Sequence, residues 1–528
     1  MGSAFLNYAS TVKLRELARD PIDLSQPDVL TPERVSTYAV QAAGLNFLYA
    51  TERVTVPVMT ALAELAEESG ALEKMERMQA GDVVNFIAGY ASEKRPALHT
   101  ACRDLFDLHR KEAAAAEAAA LAKQEVAKLT RFIERLEQEK TFTDLIVIGI
   151  GGSDLGPRAH YQALLYLLQP ERSVHFIANV DPDDASQVFS LVPDLKKTLV
   201  AVISKSGTTL ETAVNEKIVR SWFEKAGLDS RSHFVAVTTP RTPMDDPDRY
   251  REVFHLWDWV GGRFSTTSMC GGLPLAFAFG ISIWMDFLEG AHEMDRLALE
   301  PSIKTNLPLL AALLSIWNRN FLGYATQAII PYSQALARYP AHIQQVEMES
   351  NGKRVEKSGS FVDFDTGPII WGEPGTNAQH SFFQLLHQGT TRVPLCMIGF
   401  RYSQRGEDLE MGGTYSQEKL LANLFAQAIA LAAGQKNENP NRFFPGNCPS
   451  HLILAERLNP RTLGKILSFF EHKVAFQGFI WGINSFDQEG VQLGKLLAAR
   501  ILTCFENPLH STYPLGEAYI DQLQKCGN

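Results

Sequence analysis

The chain has 528 residues, of which 45% are hydrophobic and 21% are charged, a composition typical of a soluble globular protein. A chain of this length is too long to fold around one hydrophobic core of ordinary size. The length therefore predicts two or three domains with room for a deep cleft between them. Lys and Arg total 50 against 60 for Asp and Glu, and the net charge of -10 argues against a nucleic-acid or anionic-membrane partner. An anionic substrate would therefore need positive charge local to its site.

The cysteine pattern and the lack of long apolar runs indicate a cytoplasmic protein. The six cysteines are scattered without a CxxC pair, so we expect reduced thiols, and no metal-ligating cluster is apparent. The N-terminus lacks the continuous apolar stretch of a secretory signal. No run approaches the roughly 18 apolar residues of a membrane span, so we expect no membrane partner.

The first half of the chain begins with helical spacing and then alternates strands with helices. Residues 1–112 have apolar residues at helical spacing, and residues 111–139, rich in Ala, Glu and Lys, predict a long helix that enters the first sheet. The apolar runs that follow predict strands at 145–150, 174–180, 199–203 and 234–238. Strands separated by helices indicate a parallel, doubly wound sheet, in which ligands gather at the carboxyl ends of the strands.

The loop after the first of these strands, residues 149–157, reads GIGGSDLGP. Its glycines remove side chains where the backbone must turn and where a ligand could approach the amide groups. Ser153 stands just before the next helix, and Pro157 suits an early helical position. Because helix N-termini attract anions, Ser153 is a candidate phosphate ligand.

This loop fits two known nucleotide motifs poorly. A dinucleotide-binding loop would have a third glycine where Asp154 stands. Asp181 after the next strand does resemble the ribose-binding acid of such proteins, so dinucleotide binding stays a minor alternative. A nucleotide P-loop needs Lys and then Ser or Thr, whereas Gly156 is followed by Pro157 and Arg158, which excludes it. For the loop considered alone, a tight turn without a ligand also stays open.

Two further loops carry hydroxyl groups and a cation. Residues 204–212 read SKSGTTLET, with hydroxyl groups around one glycine at Ser204, Ser206, Thr208 and Thr209. Thr208 and Glu211 have capping-box spacing, but a cap explains only one or two of these hydroxyls, and the whole set predicts a phosphate-binding cradle on one rim with the first loop. Residues 260–268 read VGGRFSTTS, where Arg263 follows two glycines and could be directed at a substrate oxygen.

The second half of the chain repeats the alternation less regularly. Apolar runs predict strands at 328–331, 368–371 and 394–400, and helical spacing predicts helices at 377–388 and 419–434. Residues 487–501 predict a helix whose inner side carries Leu493, Leu496, Leu497 and Ile501. The polar stretches hold Glu349, His380, His387 and Lys495, each of which has an ordinary surface or core role as its alternative.

Six motifs, in this order and at these spacings, resemble the glucose-6-phosphate isomerase family, also called phosphoglucose isomerase: GIGGSDLGP, SKSGTTLET, VGGRFSTTS, MESNGKR, GEPGTNAQHSFFQLLHQG and GVQLGKLLAARI. The resemblance implies an α/β fold with two sugar-isomerase-type three-layer α/β/α sandwich domains and mainly parallel sheets. It implies an N-terminal helical segment at 1–119 that packs on the large domain, a small domain at 120–272, and a large domain at 273–528 with a C-terminal helical arm.

The resemblance also implies an activity and a set of site residues. The family interconverts D-glucose 6-phosphate and D-fructose 6-phosphate through ring opening and an enediol, in glycolysis and gluconeogenesis, as a homodimer with shared sites and without a cofactor or metal. Glu349 in MESNGK resembles the base, Arg263 the cation beside the enediolate, and His380 with Lys495 the ring-opening pair, His380 being supplied by the neighbouring subunit. Expected phosphate and sugar ligands are Ser153, Ser204, Ser206, Thr209, Gln345 and Gln488.

Two functions from other classes compete with this one. A NAD(P)-dependent oxidoreductase would use the loop at 149–156, and NAD or NADP would then change the thermal stability of the protein. A non-catalytic sugar-phosphate sensor could share the phosphate cradle, but it would tolerate loss of Glu349 and would be expected to carry a partner-binding extension. No such extension is apparent in the sequence.

Overall fold

The computed structural model of the protein describes residues 3–106, 112–506 and 513–526. The chain forms two compact units, Met1–Ser485 and Phe486–Asn528. The division of the first unit at residues 120 and 273 stays a prediction. Within the described ranges, no helix is long and apolar enough to cross a membrane.

Strands and helices alternate along most of the chain. The strands, numbered in chain order, are β1 Ala39–Ala42, β2 Leu45–Leu48, β3 Val83–Asn85, β4 Arg95–Pro96, β5 Asp144–Ile148, β6 Ser173–Ile177, β7 Thr198–Ile203, β8 Phe234–Thr238, β9 Glu252–His255, β10 Thr326–Pro331, β11 Ile369–Trp371, β12 Leu395–Tyr402, β13 Glu410–Met411, β14 Thr414–Tyr415 and β15 Ser450–Arg457. The α-helices are α1 Ala4–Asn7, α2 Ala9–Leu17, α3 Pro32–Thr37, α4 Val56–Glu68, α5 Ala71–Ala80, α6 Ala113–Glu139, α7 Leu155–Ala163, α8 Pro182–Leu191, α9 Leu210–Lys225, α10 Met269–Phe279, α11 Ile281–Leu297, α12 Leu307–Ile316, α13 Tyr339–Asn351, α14 Phe383–Gln388, α15 Ser416–Ala433, α16 Pro460–Trp481, α17 Gln492–Glu506 and α18 Pro514–Gln524.

The first sheet has the strand order β6-β5-β7-β8-β9, and all of its neighbouring strands are parallel. The four strands predicted here are confirmed, although β5 and β6 end two or three residues earlier than predicted, at Ile148 and Ile177. Every residue of β5 and β7 is buried, as expected for apolar strands covered on both faces. Helices α8 and α9 pack against the sheet through Val188, Val219 and Phe223.

The second sheet has the order β1-β2-β15-β12-β10-β11. Strands β11, β10, β12 and β15 pair in parallel, whereas β15–β2 and β2–β1 are antiparallel. The strands predicted in the second half are confirmed as β10, β11 and β12, and β15 was not predicted. The helical interpretation of residues 1–112 was wrong at residues 39–48, where two short strands are joined by a turn with positive φ at Ala43 and Gly44, and again at β3 and β4. Residues 1–2 and 107–111 of this prediction lie outside the described residues. Two mainly parallel sheets confirm the α/β class.

The helix predictions hold with shifted boundaries. The helix predicted at 111–139 is α6, and the one predicted at 419–434 is α15. The single helix predicted at 377–388 is instead a 3₁₀ turn, Asn377–His380, followed by α14. All six cysteines lie in the described ranges, and none of them is paired in a disulfide there.

The C-terminal unit contains the helix pair α17 and α18. Cys504 of α17 is buried, and Arg500 stacks on the ring of Tyr513 at 4.3 Å. The predicted inner face of α17 was half right: Leu497 and Ile501 are half-buried, whereas Leu493 and Leu496 are 66% and 60% exposed. Leu497, Ile501 and Cys504 are spaced four and three residues apart, so the less exposed residues of α17 share one side of the helix.

Candidate active site

Two polar loops follow the neighbouring parallel strands β5 and β7, so both lie at the same edge of the first sheet. In the first loop, Gly151 has a φ of 61°, and Ser153 ends the 3₁₀ turn Gly151–Ser153. Helix α7 begins at Leu155, with Pro157 as its third residue. Ser153 therefore stands just before a helix, as predicted.

The second loop holds a cluster of hydroxyl groups. Ser204 Oγ and Thr209 Oγ1 lie 3.1 Å apart, and Ser206 Oγ accepts hydrogen bonds from the backbone and side chain of Thr208. The predicted capping box is wrong, because Thr209 is the residue that caps α9 and its side chain makes no capping bond. The positive φ of 66° at Gly207 lets the loop turn beside Thr242. The hydroxyl groups of this loop thus bond to one another and to the loop backbone, and none of them closes the end of the helix.

Lys205 joins this loop to the segment that precedes Arg263. Its Nζ donates to the carbonyl oxygens of Asp258 and Val260, each at 2.8 Å. Burial, reinforced by the nearby Arg95 guanidinium, lowers the pKa of Lys205 to about 8. The sequence prediction did not include Lys205, although it stands between two predicted ligands.

The first loop also packs directly against the turn Gly262–Phe264. The backbone of Gly152 lies so close to Gly262 that a Cβ at Gly152 would overlap the Gly262 carbonyl group. Ser265 Oγ donates to the carbonyl oxygen of Gly152 at 3.3 Å. Close backbone contact of this kind requires glycine at position 152 and holds Ser153 beside the turn that carries Arg263.

A cation and a carboxylate meet next to these loops. Arg263 is buried, and its NH1 lies 3.3 Å from Oε1 of the partly exposed Glu349 on α13. Gln345, one helical turn earlier, donates its Nε2 to Glu349 Oε2 at 2.8 Å. A Cβ on Gly151 would lie 3.5 Å from that Nε2, so the first loop borders this pair as well.

Two groups that were not predicted fix the Arg263 guanidinium. Its Nε donates to Ser350 Oγ and its NH2 donates to the Ser485 carbonyl oxygen, both at 2.6 Å. Ser350 had a sequence signal, since it follows Glu349 in MESNGK. Ser485 is separated from Arg263 by 222 residues and lies outside the six motifs, so no local pattern pointed to it.

The structure brings some predicted residues together and leaves others apart. Direct contacts join Arg263, Glu349 and Gln345, and the loops of Ser153 and Ser204 lie at one sheet edge. His380 ends the turn Asn377–His380 with an exposed side chain. The other two predicted residues, Gln488 and the exposed Lys495, belong to the C-terminal unit.

This arrangement has a definite chemical capacity. A carboxylate that is reachable from solvent can accept a proton from a substrate carbon, and a buried guanidinium beside it can stabilise negative charge that develops there. Hydroxyl groups and backbone amides at two helix starts suit an anion that is held without reacting. The site therefore fits a phosphorylated substrate on which a proton is moved.

Solved structures define the class of this protein. A crystal structure of a glucose-6-phosphate isomerase from Chlamydia trachomatis D/UW-3/Cx aligns with a TM-score of 0.94 at 48% identity over 100% of both chains. A crystal structure of a hypothetical protein from Thermus thermophilus aligns with a TM-score of 0.66 at 26% identity, over 84% of this chain and 98% of that one. The fold is that of the sugar-isomerase class of α/β proteins.

Sequence comparison narrows the class to one family. A family model described as phosphoglucose isomerase matches residues 48–512. A glucose-6-phosphate isomerase of Protochlamydia amoebophila (strain UWE25) is 62% identical over 525 residues, which are 99% of this chain and 97% of the relative. One of Chlamydia pneumoniae is 51% identical over 97% of this chain and 96% of the relative. The chain belongs to the phosphoglucose isomerase family. Membership of this family does not favour an oxidoreductase or a non-catalytic sensor as the function of the protein.

Proposed function

We propose that the protein interconverts D-glucose 6-phosphate and D-fructose 6-phosphate, a step of glycolysis and gluconeogenesis, in the cytoplasm. The observation that carries this proposal is the contact between the Glu349 carboxylate and the buried Arg263 guanidinium, together with the loop of Ser153 and the hydroxyl-rich loop of Ser204. Family membership supports the same substrate pair.

The phosphate group binds to the two loops in this proposal. Ser153, Ser204, Ser206 and Thr209 supply hydroxyl groups, and the starts of α7 and α9 supply backbone amides. The phosphate does not react, and its binding energy serves to orient C1 and C2 of the sugar. Gln345 contributes a sugar contact in this proposal, since its half-buried side chain lies directly beside the Glu349 carboxylate.

Glu349 moves the proton between C2 and C1. One carboxylate that reaches both carbons on the same face of the open-chain sugar removes the proton from C2 and returns it to C1. The enediolate formed between these steps carries negative charge, which Arg263 stabilises, and a fixed donor of this kind is worth roughly 3 kcal/mol. Because Arg263 is buried, its charge acts with little screening by water.

His380 and Lys495 open the sugar ring, with His380 supplied by a second copy of the chain in a homodimer. Exposure of His380 on its own subunit supports a role at a neighbouring site. Exposed apolar side chains on the C-terminal helix pair, such as Leu493, Leu496 and Leu515, support an assembly of more than one chain. Gln488, at the start of the same unit, completes the set of proposed sugar ligands.

The experiment that tests this function is replacement of Glu349 by Gln. The amide keeps the shape of the side chain but accepts no proton, so kcat should fall at least about 10²-fold while substrate binding changes little. In D₂O the wild type should incorporate deuterium at C2 of glucose 6-phosphate or C1 of fructose 6-phosphate, and the variant almost none. Glu300→Gln, an exposed acid outside the site, is the matched control. Deuterium exchange at the wild-type rate in Glu349→Gln would mean that another group, such as His380 or His387, is the base.

A further inference from the structure

A network of buried polar side chains lies directly behind Arg263 and Glu349. Its centre is Asn351, the last residue of α13, which is fully buried. Asn351 Nδ2 donates to the Val474 carbonyl oxygen at 3.1 Å and lies 3.4 Å from Gln477 Oε1. Its Oδ1 accepts a hydrogen bond from Ser485 Oγ at 2.7 Å. The C-terminus of α13 is thereby joined to α16 and to the segment after α16.

Ser485 connects this network to Arg263 through two different atoms. Its side chain binds Asn351, while its carbonyl oxygen accepts the hydrogen bond from Arg263 NH2. Space around Ser485 is also restricted, because a Cβ at Gly478 of α16 would overlap Ser485 Oγ. The position of this carbonyl oxygen is thus set by packing against α16 and by the bond to Asn351.

The network is anchored by a buried ion pair one turn before Asn351. Lys473 Nζ of α16 donates to Glu347 Oε2 of α13 at 2.8 Å, and both side chains are buried. A buried pair of this kind is strongly directional, because rotation or sliding of either helix would leave a charge without its partner. The pair therefore fixes the register of α13 against α16. It thereby also fixes the positions of Glu349 and Ser350 along the axis of α13.

We propose that Ser350, Asn351 and Ser485 are positioning residues that hold the Arg263 guanidinium at the Glu349 carboxylate. This inference rests on the proposed roles of Arg263 and Glu349 in the isomerisation. None of the three residues reacts with the sugar. Ser350 and the Ser485 carbonyl oxygen hold the guanidinium directly, and Asn351 holds Ser485.

The geometry of a guanidinium explains why such positioning matters. Arg carries planar donors in a fixed fork, so two bonds at Nε and NH2 determine the direction of NH1. In Arg263 these two bonds go to Ser350 and Ser485, and NH1 then faces Glu349. If either bond is lost, the buried cation tilts to satisfy its donors elsewhere, and its charge no longer lies where the enediolate forms.

A double-mutant cycle tests whether Ser350 acts through Arg263. Ser350→Ala removes the acceptor of the Nε bond, so kcat for fructose 6-phosphate should fall about 10-fold or more, while KM changes little because the phosphate loops are intact. In an Arg263→Lys background, which lacks the Nε donor, Ser350→Ala should cause no further loss of kcat. A role confined to stability would lower kcat by the same factor in both backgrounds.

A second pair of variants keeps the test valid if Ser350→Ala folds poorly. Ser485→Ala retains the carbonyl oxygen that binds Arg263 and removes only the bond to Asn351, so it should lower kcat by a smaller factor, again only when Arg263 is present. Ser468→Ala is the matched control, since Ser468 is equally buried on α16 and its Oγ has no partner among the described residues. Its kcat should equal that of the wild type.

The outcomes separate this inference from the proposed function. Equal losses from Ser350→Ala in the two backgrounds, or a Ser485→Ala enzyme with wild-type kcat, would overturn the positioning role while leaving the isomerase proposal intact. An Arg263→Lys enzyme with wild-type kcat would instead overturn the role of Arg263 and this inference with it. Suppression of the serine effects by Arg263→Lys is the result that supports the inference.

Discussion

The close approach of Gly152 to Gly262 makes Gly152→Ala a sensitive probe of the site. The added methyl group would overlap the Gly262 carbonyl group and would lie 2.8 Å from the Arg263 backbone nitrogen. Ordinary contact begins at 3.4 Å, so even the nitrogen must retreat by 0.6 Å, and the carbonyl group must move further. The substitution should therefore separate the Ser153 loop from the Arg263 turn.

The size of this displacement sets the expected loss of activity. Misplacement of a catalytic group by about 1 Å can cost about 10²-fold, so kcat/KM for Gly152→Ala should fall roughly 10- to 100-fold. Overpacking of this kind costs about 1–3 kcal/mol, so Tm should decrease without loss of the fold. The assay couples glucose 6-phosphate formed from fructose 6-phosphate to its oxidation by a dehydrogenase, with circular dichroism as a check of folding.

The neighbouring glycine provides the control. Gly262 has ordinary backbone angles, and a Cβ built there meets no atom within 4 Å. Gly262→Ala should therefore leave kcat/KM within about 3-fold of the wild type. If Gly152→Ala were as active as the wild type, or if both variants lost activity equally, the close packing of the two loops would not control the geometry of the site.

Three further predictions address the phosphate loop, its lysine and the assembly. Replacing Ser204 and Thr209 together by Ala should raise KM for glucose 6-phosphate at least about 10-fold, because each lost bond to a charged group is worth about 1.5–3 kcal/mol; unchanged KM and unchanged inhibition by 6-phosphogluconate would contradict the assignment. The pKa of Lys205 is about 8 in the folded protein against an ordinary 10.5, so the unfolded chain binds more protons between these values and folding stability rises with pH there. The difference in unfolding free energy between wild type and Lys205→Met should thus shift in favour of the wild type from pH 8 to 10.5, by at most about 3 kcal/mol, and a constant difference would refute the shift. Mixing inactive His380→Ala and Glu349→Gln chains under subunit exchange should restore activity, since a mixed dimer can assemble one intact site; no recovery in proven mixed dimers would exclude shared sites.

Features of the fold and site that depend on local sequence could be predicted. The strand β5 was recognisable because its residues after Asp144 are all apolar. The glycines that follow it indicate a sharp turn. Ser153 and Ser204 could be assigned to one rim because neighbouring parallel strands end at the same sheet edge. The motif around Glu349 identified the carboxylate through family resemblance, not through periodicity.

Features that depend on distant residues could not be predicted. The burial of Arg263 results from contacts with Ser350 and Ser485, which are separated from it by 87 and 222 residues. An arginine is usually exposed, so composition alone favours a surface position for it. The face of α17 was predicted only in part for a related reason: Leu493 and Leu496 follow helical spacing as Leu497 and Ile501 do, but spacing alone does not tell which apolar residues find a packing partner.

The pairing of β2 with β15 has a consequence for how the protein is made. The two strands come from opposite ends of the chain, and Thr51 Oγ1 donates to the Ser450 carbonyl oxygen across a separation of 399 residues. At about 5–20 residues per second on the ribosome, roughly 20 to 80 s pass between synthesis of the hairpin and synthesis of its partner strand. Throughout this interval the hairpin exposes an unpaired edge that can associate with chaperones or with another nascent chain. Completion of the second sheet is therefore a late event. The yield of folded enzyme should depend on how well the unpaired edge of the hairpin is kept from associating with other chains until β15 has been synthesised.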